Sequence, residues 1–344
     1  MSYVARKRFG QHFLVDRQII GSIVDLVAVQ RRDLVVEIGP GLAALTDPLL
    51  RRLDHLHVVE IDRDMVARLR AAYSAERLSI HAGDALAFDF GRLAAEAGAK
   101  LRIVGNLPYN ISTPLLFHLA GFGDGVRDMH FMLQREVVER MVAAPGSGDF
   151  GRLSVMLQYR FVMEWLLDVP PESFNPPPRV HSAVVRLIPR LAGDLAADDE
   201  AQFAAVVATA FAQRRKMLRN SLKNLVGEAR LAEFGVSPTC RAEDLSVDDY
   251  VRLANSLKTA QACRSACGTQ RVRSGLISAV LVERAGIQAK QRVGGAGSEQ
   301  AGEQRDHADP SPSTNDAHGG HGDQGDTGHD TQDLVDSTDV GFHD

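Results

Sequence analysis

One short stretch places an amide, a rigid proline and an aromatic ring side by side. The apolar run 101–105 is typical of a strand, and Asn106-Leu107-Pro108-Tyr109 follows it directly. Two acceptors that take both N–H protons of an exocyclic amine would free its lone pair, and the Asn106 oxygen and Leu107 carbonyl are candidates. Pro108 holds Leu107 extended, and Tyr109 offers a ring for stacking on a base. The stretch predicts amine methylation, with a proline turn and a core tyrosine as the alternative.

Glycines and acids end the preceding strand-like runs. Gly39 and Gly41 form a turn where the run 34–39 ends, Glu60 lies near the end of the second run, and Asp84 ends the third. In a doubly wound sheet these residues meet at the ligand edge, where an acid can hold ribose hydroxyls and another an adenine amino group. Ala44 breaks the G-x-G-x-x-G spacing that phosphate binding needs. This favours S-adenosylmethionine as the cofactor over a dinucleotide, which stays the alternative.

A proline-stiffened loop at 170–184 carries one further aromatic residue, Phe174, shortly before a strand-like run. An exposed ring here would clamp the second face of a base. A ring that plugs the core beneath the loop fits the sequence equally well.

Apolar runs alternate with helical patterns through residue 190, which predicts an α/β doubly wound, mostly parallel sheet. Helical patterns then continue to 258, with no strand pattern among them. We therefore expect a catalytic domain at 1–192, a small all-helical domain at 193–258 and a disordered tail at 259–344, where large apolar residues become scarce. The predicted elements are strands at 34–39, 56–62, 78–84, 101–106, 129–134, 165–169 and 183–188, and helices at 44–53, 64–73, 113–120, 135–143 and 152–161.

The net charge of −5 hides an uneven distribution. Ten of the 44 acidic residues but one of the 39 basic residues lie in 304–344, which leaves +4 in 1–303. A mildly basic folded part is compatible with nucleic-acid binding. Three cysteines give no disulfide framework, and no apolar run is long enough for a membrane span, so we expect a cytoplasmic protein. The five tail histidines are a weak signal for metal binding, and no metal site is predicted.

Basic residues cluster in the helical part. Arg215, Arg219 and Lys223 follow i, i+4, i+8 spacing, which predicts one face of a helix. Contacts from such a face to phosphates would position an RNA. The candidate RNA-binding residues are Arg214, Arg215, Lys216, Arg219 and Lys223, with Arg6, Lys7 and Arg8 extending the surface.

Seven motifs together resemble the KsgA (RsmA) family of small-subunit ribosomal RNA adenine dimethyltransferases over roughly residues 3–258. They are "RKRFGQHFLVD" (6–16), "EIGPGLAALT" (37–46), "VVEIDRD" (58–64), "GNLPYNISTPLL" (105–116), "GRLSVMLQY" (151–159), "FNPPPRVHSAVVRL" (174–187) and "QRRKMLRNSLKNL" (213–225). The resemblance implies dimethylation of N6 on two adjacent adenosines near the 3′ end of 16S rRNA in the 30S subunit, with S-adenosylmethionine as donor.

The resemblance also implies roles for single residues. The cofactor contacts fall on His12, Leu14, Gly39, Glu60, Asp84 and Asn106; the catalytic loop falls on Asn106–Tyr109 and the second stacking ring on Phe174. The family usually has Asn where this chain has His12. An imidazole still forms a hydrogen bond there, but its contact with the cofactor becomes sensitive to pH.

Other functions fit parts of the same pattern. An Erm-like enzyme acting on 23S rRNA would share the catalytic loop, although the 213–225 run favours the small subunit. A DNA adenine methyltransferase would need a target-recognition domain that the sequence does not show. A non-catalytic ribosome assembly factor could keep the fold, but intact Glu60, Asp84 and Asn106 favour an enzyme. We expect a monomer that acts late in subunit assembly.

Overall fold

The structure is a computed structural model that describes residues 12–109 and 111–265, with side chains described up to Leu257. The strands are β1 Phe13–Leu14, β2 Leu34–Ile38, β3 Leu56–Glu60, β4 Leu78–Ala82, β5 Leu101–Asn106, β6 Val126–Gln134, β7 Phe161–Val169, β8 Phe174–Asn175 and β9 Ser182–Pro189. The helices are α1 Arg17–Val27, α2 Thr46–Leu50, α3 Arg63–Ala72, α4 Phe90–Ala97, α5 Ser112–Ala120, α6 Arg135–Val142, α7 Arg152–Arg160, α8 Glu200–Phe211, α9 Leu218–Ser221, α10 Glu228–Glu233 and α11 Val247–Ser265.

The central sheet has seven strands in the order β4-β3-β2-β5-β6-β9-β7. The first five pair in parallel, and β9 pairs antiparallel with both β6 and β7. This confirms the predicted doubly wound, mostly parallel sheet. The sequence order changes direction between β2 and β5, so the ends of these strands form the crevice where such sheets bind ligands.

Two apolar clusters cover the two faces of the sheet. Ile103 and Phe131 belong to one cluster, and their neighbours Val104 and Met132 belong to the other. Adjacent strand residues point to opposite faces, so β5 and β6 need apolar residues on both faces where these clusters cover them. Leu116 of α5 packs on one side with Ile103, which fixes the strand that carries the 106–109 stretch.

A buried ion-pair network holds the other end of β5. The guanidinium of Arg102 donates to both carboxylate oxygens of Asp128 on β6, at 2.8 and 2.9 Å, and to Asp33 at 2.9 Å. It also donates to the Val27 carbonyl at 2.6 Å. Its carboxylate partners raise the pKa of Arg102 against the opposing effect of burial. The network joins the end of α1 to the two central strands.

The chain after β9 is helical, as expected, and packs around its own apolar cluster with Phe203, Leu222 and Tyr250. Tyr159 of α7 belongs to this cluster, whereas Leu157 of the same helix belongs to the sheet cluster. Because α7 packs on both sides, the division of the chain at residue 192 stays a prediction.

The continuous helix predicted from the spacing of Arg215, Arg219 and Lys223 is wrong. Residues 212–216 form turns, and only Leu218–Ser221 is helical. Met217 bridges to Arg241, and the Leu218 amide donates to the Cys240 carbonyl at 2.8 Å. This pairing with a distant segment replaces the helical hydrogen bonds that the local pattern favoured. The i, i+4, i+8 spacing therefore defines no continuous helix face.

The last described helix, α11, continues past the predicted boundary at 258 to Ser265. The disorder expected for the rest of the tail, and its histidines, lie outside the described residues. Within the described part of the chain, no helix has the length and apolarity needed to cross a membrane.

Candidate active site

A cavity of about 180 Å³ lies where β2, β3, β4 and β5 end. Its walls include the catalytic-loop residues Leu107, Pro108 and Tyr109. They also include every residue predicted to bind the cofactor, namely His12, Leu14, Gly39, Gly41, Glu60, Asp84 and Asn106. The fold thus brings the two halves of the predicted site to one crevice.

The turn after β2 depends on backbone geometry that favours glycine. Gly39 and Gly41 have φ values of +68° and +52°. A Cβ on Gly41 would also lie 3.2 Å from Cε1 of Phe13. The turn directs the Gly41 amide toward the Glu60 carboxylate, with 3.4 Å between N and Oε2. The positive φ at both positions and the close approach of Phe13 at Gly41 therefore favour the glycines that the sequence marked.

Glu60 ends β3 with its carboxylate at the cavity wall. Its Oε1 accepts a hydrogen bond from the Asp62 amide at 2.8 Å. Burial raises the pKa of Glu60, although backbone donors at Asp62 and Gly41 oppose the shift. Two fixed amides hold this acid in one orientation, as pairing with a ribose diol requires.

Glu37 is an acid of the site that the sequence reasoning did not select. It is 2% exposed at the end of β2, and the Thr46 hydroxyl donates to its Oε2 at 2.6 Å. Burial raises its pKa to about 8. Its position on a buried strand directly before the glycine turn was the available signal.

Next to Glu60, the cavity wall combines an acid with an apolar side chain. Asp84 is exposed at the cavity, and its Oδ1 accepts the Leu86 amide at 2.9 Å. Ile61, which the sequence reasoning also missed, lines the cavity and is 51% exposed. Such a surface next to Glu60 is suited to a purine ring.

The donors and acceptors of the cavity fit S-adenosylmethionine. Three acids, Glu37, Glu60 and Asp84, line it, whereas no Lys or Arg does so among the described residues. A dinucleotide would bring a diphosphate with no cation to balance it. S-adenosylmethionine carries no phosphate and has a positive sulfonium, so the acids and the apolar wall suit it.

The catalytic loop leaves two acceptors available. The Asn106 Nδ2 donates to the His12 carbonyl at 3.1 Å, while its Oδ1 receives no hydrogen bond from a described residue. The Leu107 amide donates to the Met132 carbonyl at 3.2 Å. The Leu107 carbonyl likewise accepts nothing from the described residues. Both acceptors are held by the ends of β5 and β6.

The chain before α1 lies over this loop as a short strap, residues 12–16. β1 pairs antiparallel with β8, and the His12 Nδ1 donates to the Pro176 carbonyl at 2.8 Å. The His12 ring lies against Tyr109, with 5.9 Å between centroids and 26° between planes. A contact between His12 and the cofactor stays a prediction.

Of the two interpretations of Phe174, an exposed ring that clamps a base or a ring that plugs the core beneath the loop, the structure supports the second. Phe174 is 3% exposed and packs with Leu14, its β1 partner, and with Val169 and Val184. Strand alternation in β8 turns Phe174 inward and Asn175 outward. Phe174 therefore supports the strap from below, and its place in the catalytic set stays a proposal.

The five candidate RNA-binding residues of the helical part are exposed. Arg214 pairs with Glu243 at 2.8 Å, and Arg219 pairs with Glu228 at 3.5 Å. Arg215, Lys216 and Lys223 have no carboxylate partner in the described part of the chain. Arg6, Lys7 and Arg8 lie outside the described residues.

Known proteins share both the sequence and the fold. The ribosomal RNA adenine dimethylase family model matches residues 3–259. The chain is 64% identical over 255 residues to the ribosomal RNA small subunit methyltransferase A of Dechloromonas aromatica (strain RCB), covering 74% of this chain and 98% of that one. The corresponding protein of Thiobacillus denitrificans (strain ATCC 25259 / T1) is 61% identical over 257 residues, covering 75% and 99%.

Solved structures agree at the level of the fold. A dimethyladenosine transferase from Plasmodium falciparum matches with a TM-score of 0.60 and 24% identity, over 73% of this chain and 98% of that chain. The 23S rRNA methyltransferase ErmE matches with a TM-score of 0.56 and 25% identity, over 72% and 99%. The family model spans most of the chain, and the close relatives match along nearly their whole length. The resemblance read from the motifs is thus confirmed: the chain belongs to the ribosomal RNA adenine dimethylase family.

Proposed function

We propose that this chain methylates N6 of two adjacent adenosines in the hairpin loop near the 3′ end of 16S rRNA, adding two methyl groups to each. The chain is a methyltransferase of the ribosomal RNA adenine dimethylase family and uses S-adenosylmethionine. The observation that carries the proposal is a pair of acceptors, Asn106 Oδ1 and the Leu107 carbonyl, which have no donor among the described residues and lie beside the Tyr109 ring.

The loop residues prepare the amine of the target base. An adenine amino group is a poor nucleophile because its lone pair is delocalised into the ring. Asn106 and the Leu107 carbonyl would each accept one N–H, which favours a pyramidal nitrogen with a localised lone pair. Tyr109 would hold the flipped base, since stacking of a base on an aromatic ring contributes about 1–3 kcal/mol.

The cavity walls hold the methyl donor on the other side of this amine. S-adenosylmethionine supplies an electrophilic methyl group on a sulfonium sulfur. Glu60 would accept hydrogen bonds from the ribose hydroxyls, and Asp84 would accept one from the adenine amino group. The methylated nitrogen loses its proton readily while it carries a positive charge, so the two acceptors need only orient it.

Recognition of the RNA rests on the basic residues of the helical part. Arg215, Lys216 and Lys223 are exposed without carboxylate partners among the described residues, so they are available for phosphates. Binding to the 30S subunit, action as a monomer and a cytoplasmic location belong to this proposal. The first and the last follow from the proposed rRNA substrate.

Label transfer from S-adenosylmethionine tests the proposal against its alternatives. Purified protein would be given unmethylated 30S particles, 50S particles and duplex DNA in parallel. We expect label on 30S-derived RNA, recovered as dimethyladenosine. Label on 50S RNA would identify an Erm-like enzyme instead, and RNA binding without label would identify a non-catalytic assembly factor.

A further inference from the structure

A serine outside the catalytic loop, Ser182, forms a hydrogen bond with Tyr109, the aromatic residue of that loop. The Tyr109 hydroxyl and the Ser182 Oγ are 2.8 Å apart, although the two residues are separated by 73 positions in the chain. β9 runs antiparallel to β6, so the first residue of β9 lies at the edge where β5 and β6 end. The sheet topology therefore delivers Ser182 to the site from the far end of the domain.

Ser182 is a rigid partner. It is fully buried, and its backbone stands opposite Gln134 of β6 and Val169 of β7. The Tyr109 hydroxyl is the one hydrogen-bond partner of its Oγ within the described residues. A side chain held between two strands cannot follow a moving loop, so it restrains whatever it binds.

Ser182 restrains the orientation of the Tyr109 ring. It lies beyond the end of β5, and its carbonyl accepts from the Ser112 hydroxyl at 3.1 Å. Its half-buried ring lies against His12 at one side of the cavity. The backbone is therefore fixed near the loop, while the ring orientation depends on the hydroxyl at its far end.

Burial of the phenol agrees with this role. It raises the pKa of Tyr109, so the hydroxyl keeps its proton at neutral pH. Because both hydroxyls are neutral, either the Tyr109 or the Ser182 hydroxyl can donate the hydrogen bond while the other accepts it.

We propose that Ser182 is a positioning residue for methyl transfer: its hydroxyl fixes the Tyr109 ring in the orientation in which the target adenine stacks. The inference rests on the proposed function, because it presupposes an adenine on Tyr109. Ser182 touches neither the base nor the cofactor in this account and acts through Tyr109 alone.

A double-mutant cycle on the full chain tests the inference. The variants are Ser182→Ala, Tyr109→Phe and the double change, with undermethylated 30S particles as substrate. A net hydrogen bond contributes about 1 kcal/mol, so each single change should lower kcat/KM for the particles by roughly 5- to 10-fold. The double change should cost no more than either single one, because all three remove the same bond. The affinity for S-adenosylmethionine should stay at the wild-type value.

Ser154→Ala is the matched control. Like Ser182, Ser154 is fully buried and its hydroxyl forms a hydrogen bond, in this case to the backbone carbonyl of Arg140. Ser154 does not line the cavity. It should lose thermal stability comparably while kcat/KM stays within about 2-fold of wild type.

Three results would overturn the inference. They are wild-type kcat/KM in Ser182→Ala, multiplicative losses in the double variant, and a loss of S-adenosylmethionine affinity that parallels the loss of rate. Methylation by the wild-type protein tests the proposed 16S rRNA substrate separately from the positioning role of Ser182. If the wild type methylates another RNA and not 16S rRNA, the proposed substrate is wrong and the same cycle is measured on that RNA; if it methylates none, both fail.

Discussion

The Asn106 side chain donates from Nδ2 to the carbonyl of His12 at 3.1 Å, which ties the catalytic loop to the strap that crosses it. The same bond orients the amide group, because it assigns Nδ2 to the strap and leaves Oδ1 toward the cavity. The strap and the acceptor are thus parts of one arrangement, although 94 positions separate them.

Asn106→Ala should lower the rate of methyl transfer by at least about 100-fold, since it removes an acceptor that acts on the reacting amine. RNA binding should persist, because the basic residues are untouched. Single-turnover label transfer and a filter-binding assay at fixed salt measure the two effects. Loss of both together would mean that the loop is structural.

Arg102→Ala should destabilise the fold by about 3–5 kcal/mol, because it removes the guanidinium that is hydrogen-bonded to the buried carboxylate of Asp128 and leaves Arg186 at 3.8 Å as its nearest cation. Urea unfolding measures the change. Arg127→Ala is the control: Arg127 is exposed and pairs with Asp33 at 3.4 Å, so its loss should cost no more than about 1 kcal/mol. Equal losses in the two variants would contradict the assigned role of the buried network.

Glu37 should make the stability of the cofactor-free protein depend on pH. In the unfolded chain the Glu37 carboxyl has its ordinary pKa of 4.5, whereas burial in the folded protein raises this pKa to about 8. The folded state therefore binds more protons between these values, and its stability falls as pH rises, by up to about 1.4 kcal/mol per pH unit.

Glu37→Gln removes this dependence. Relative to wild type, the variant should gain stability steadily between pH 5 and 8 in urea unfolding without S-adenosylmethionine. Glu96→Gln serves as the control, because Glu96 is exposed on α4 and should leave the pH profile unchanged. A constant difference between Glu37→Gln and wild type across this range would show that Glu37 is ionised in the fold.

Arg215→Ala and Lys223→Ala should weaken RNA binding and reduce the slope of log K against log salt by nearly 1 per lost phosphate contact. Both residues are exposed without an ion-pair partner in the described part of the chain, so the fold should tolerate the changes. Arg92→Ala on α4, exposed but in the sheet domain, is the control. An unchanged salt slope in both variants would place the RNA surface elsewhere.

The sheet and its ligand edge could be predicted from local patterns in the sequence. Strands covered on both faces are mostly apolar, and residues such as Gly39, Glu60 and Asn106 lie where such runs end. Each strand and its polar end can be recognised from a short local pattern, and the pattern recurs along the chain. The structure places these residues around one cavity.

The roles that depend on distant partners could not be predicted from the sequence and became visible in the folded chain. Phe174 is buried because β1 pairs with β8, the 213–225 run turns because Leu218 bonds to Cys240, and Ser182 reaches Tyr109 because β9 runs antiparallel. Each outcome is set by contacts between residues far apart in sequence. Local periodicity carries no information about those contacts, since it records burial and not the identity of the neighbour.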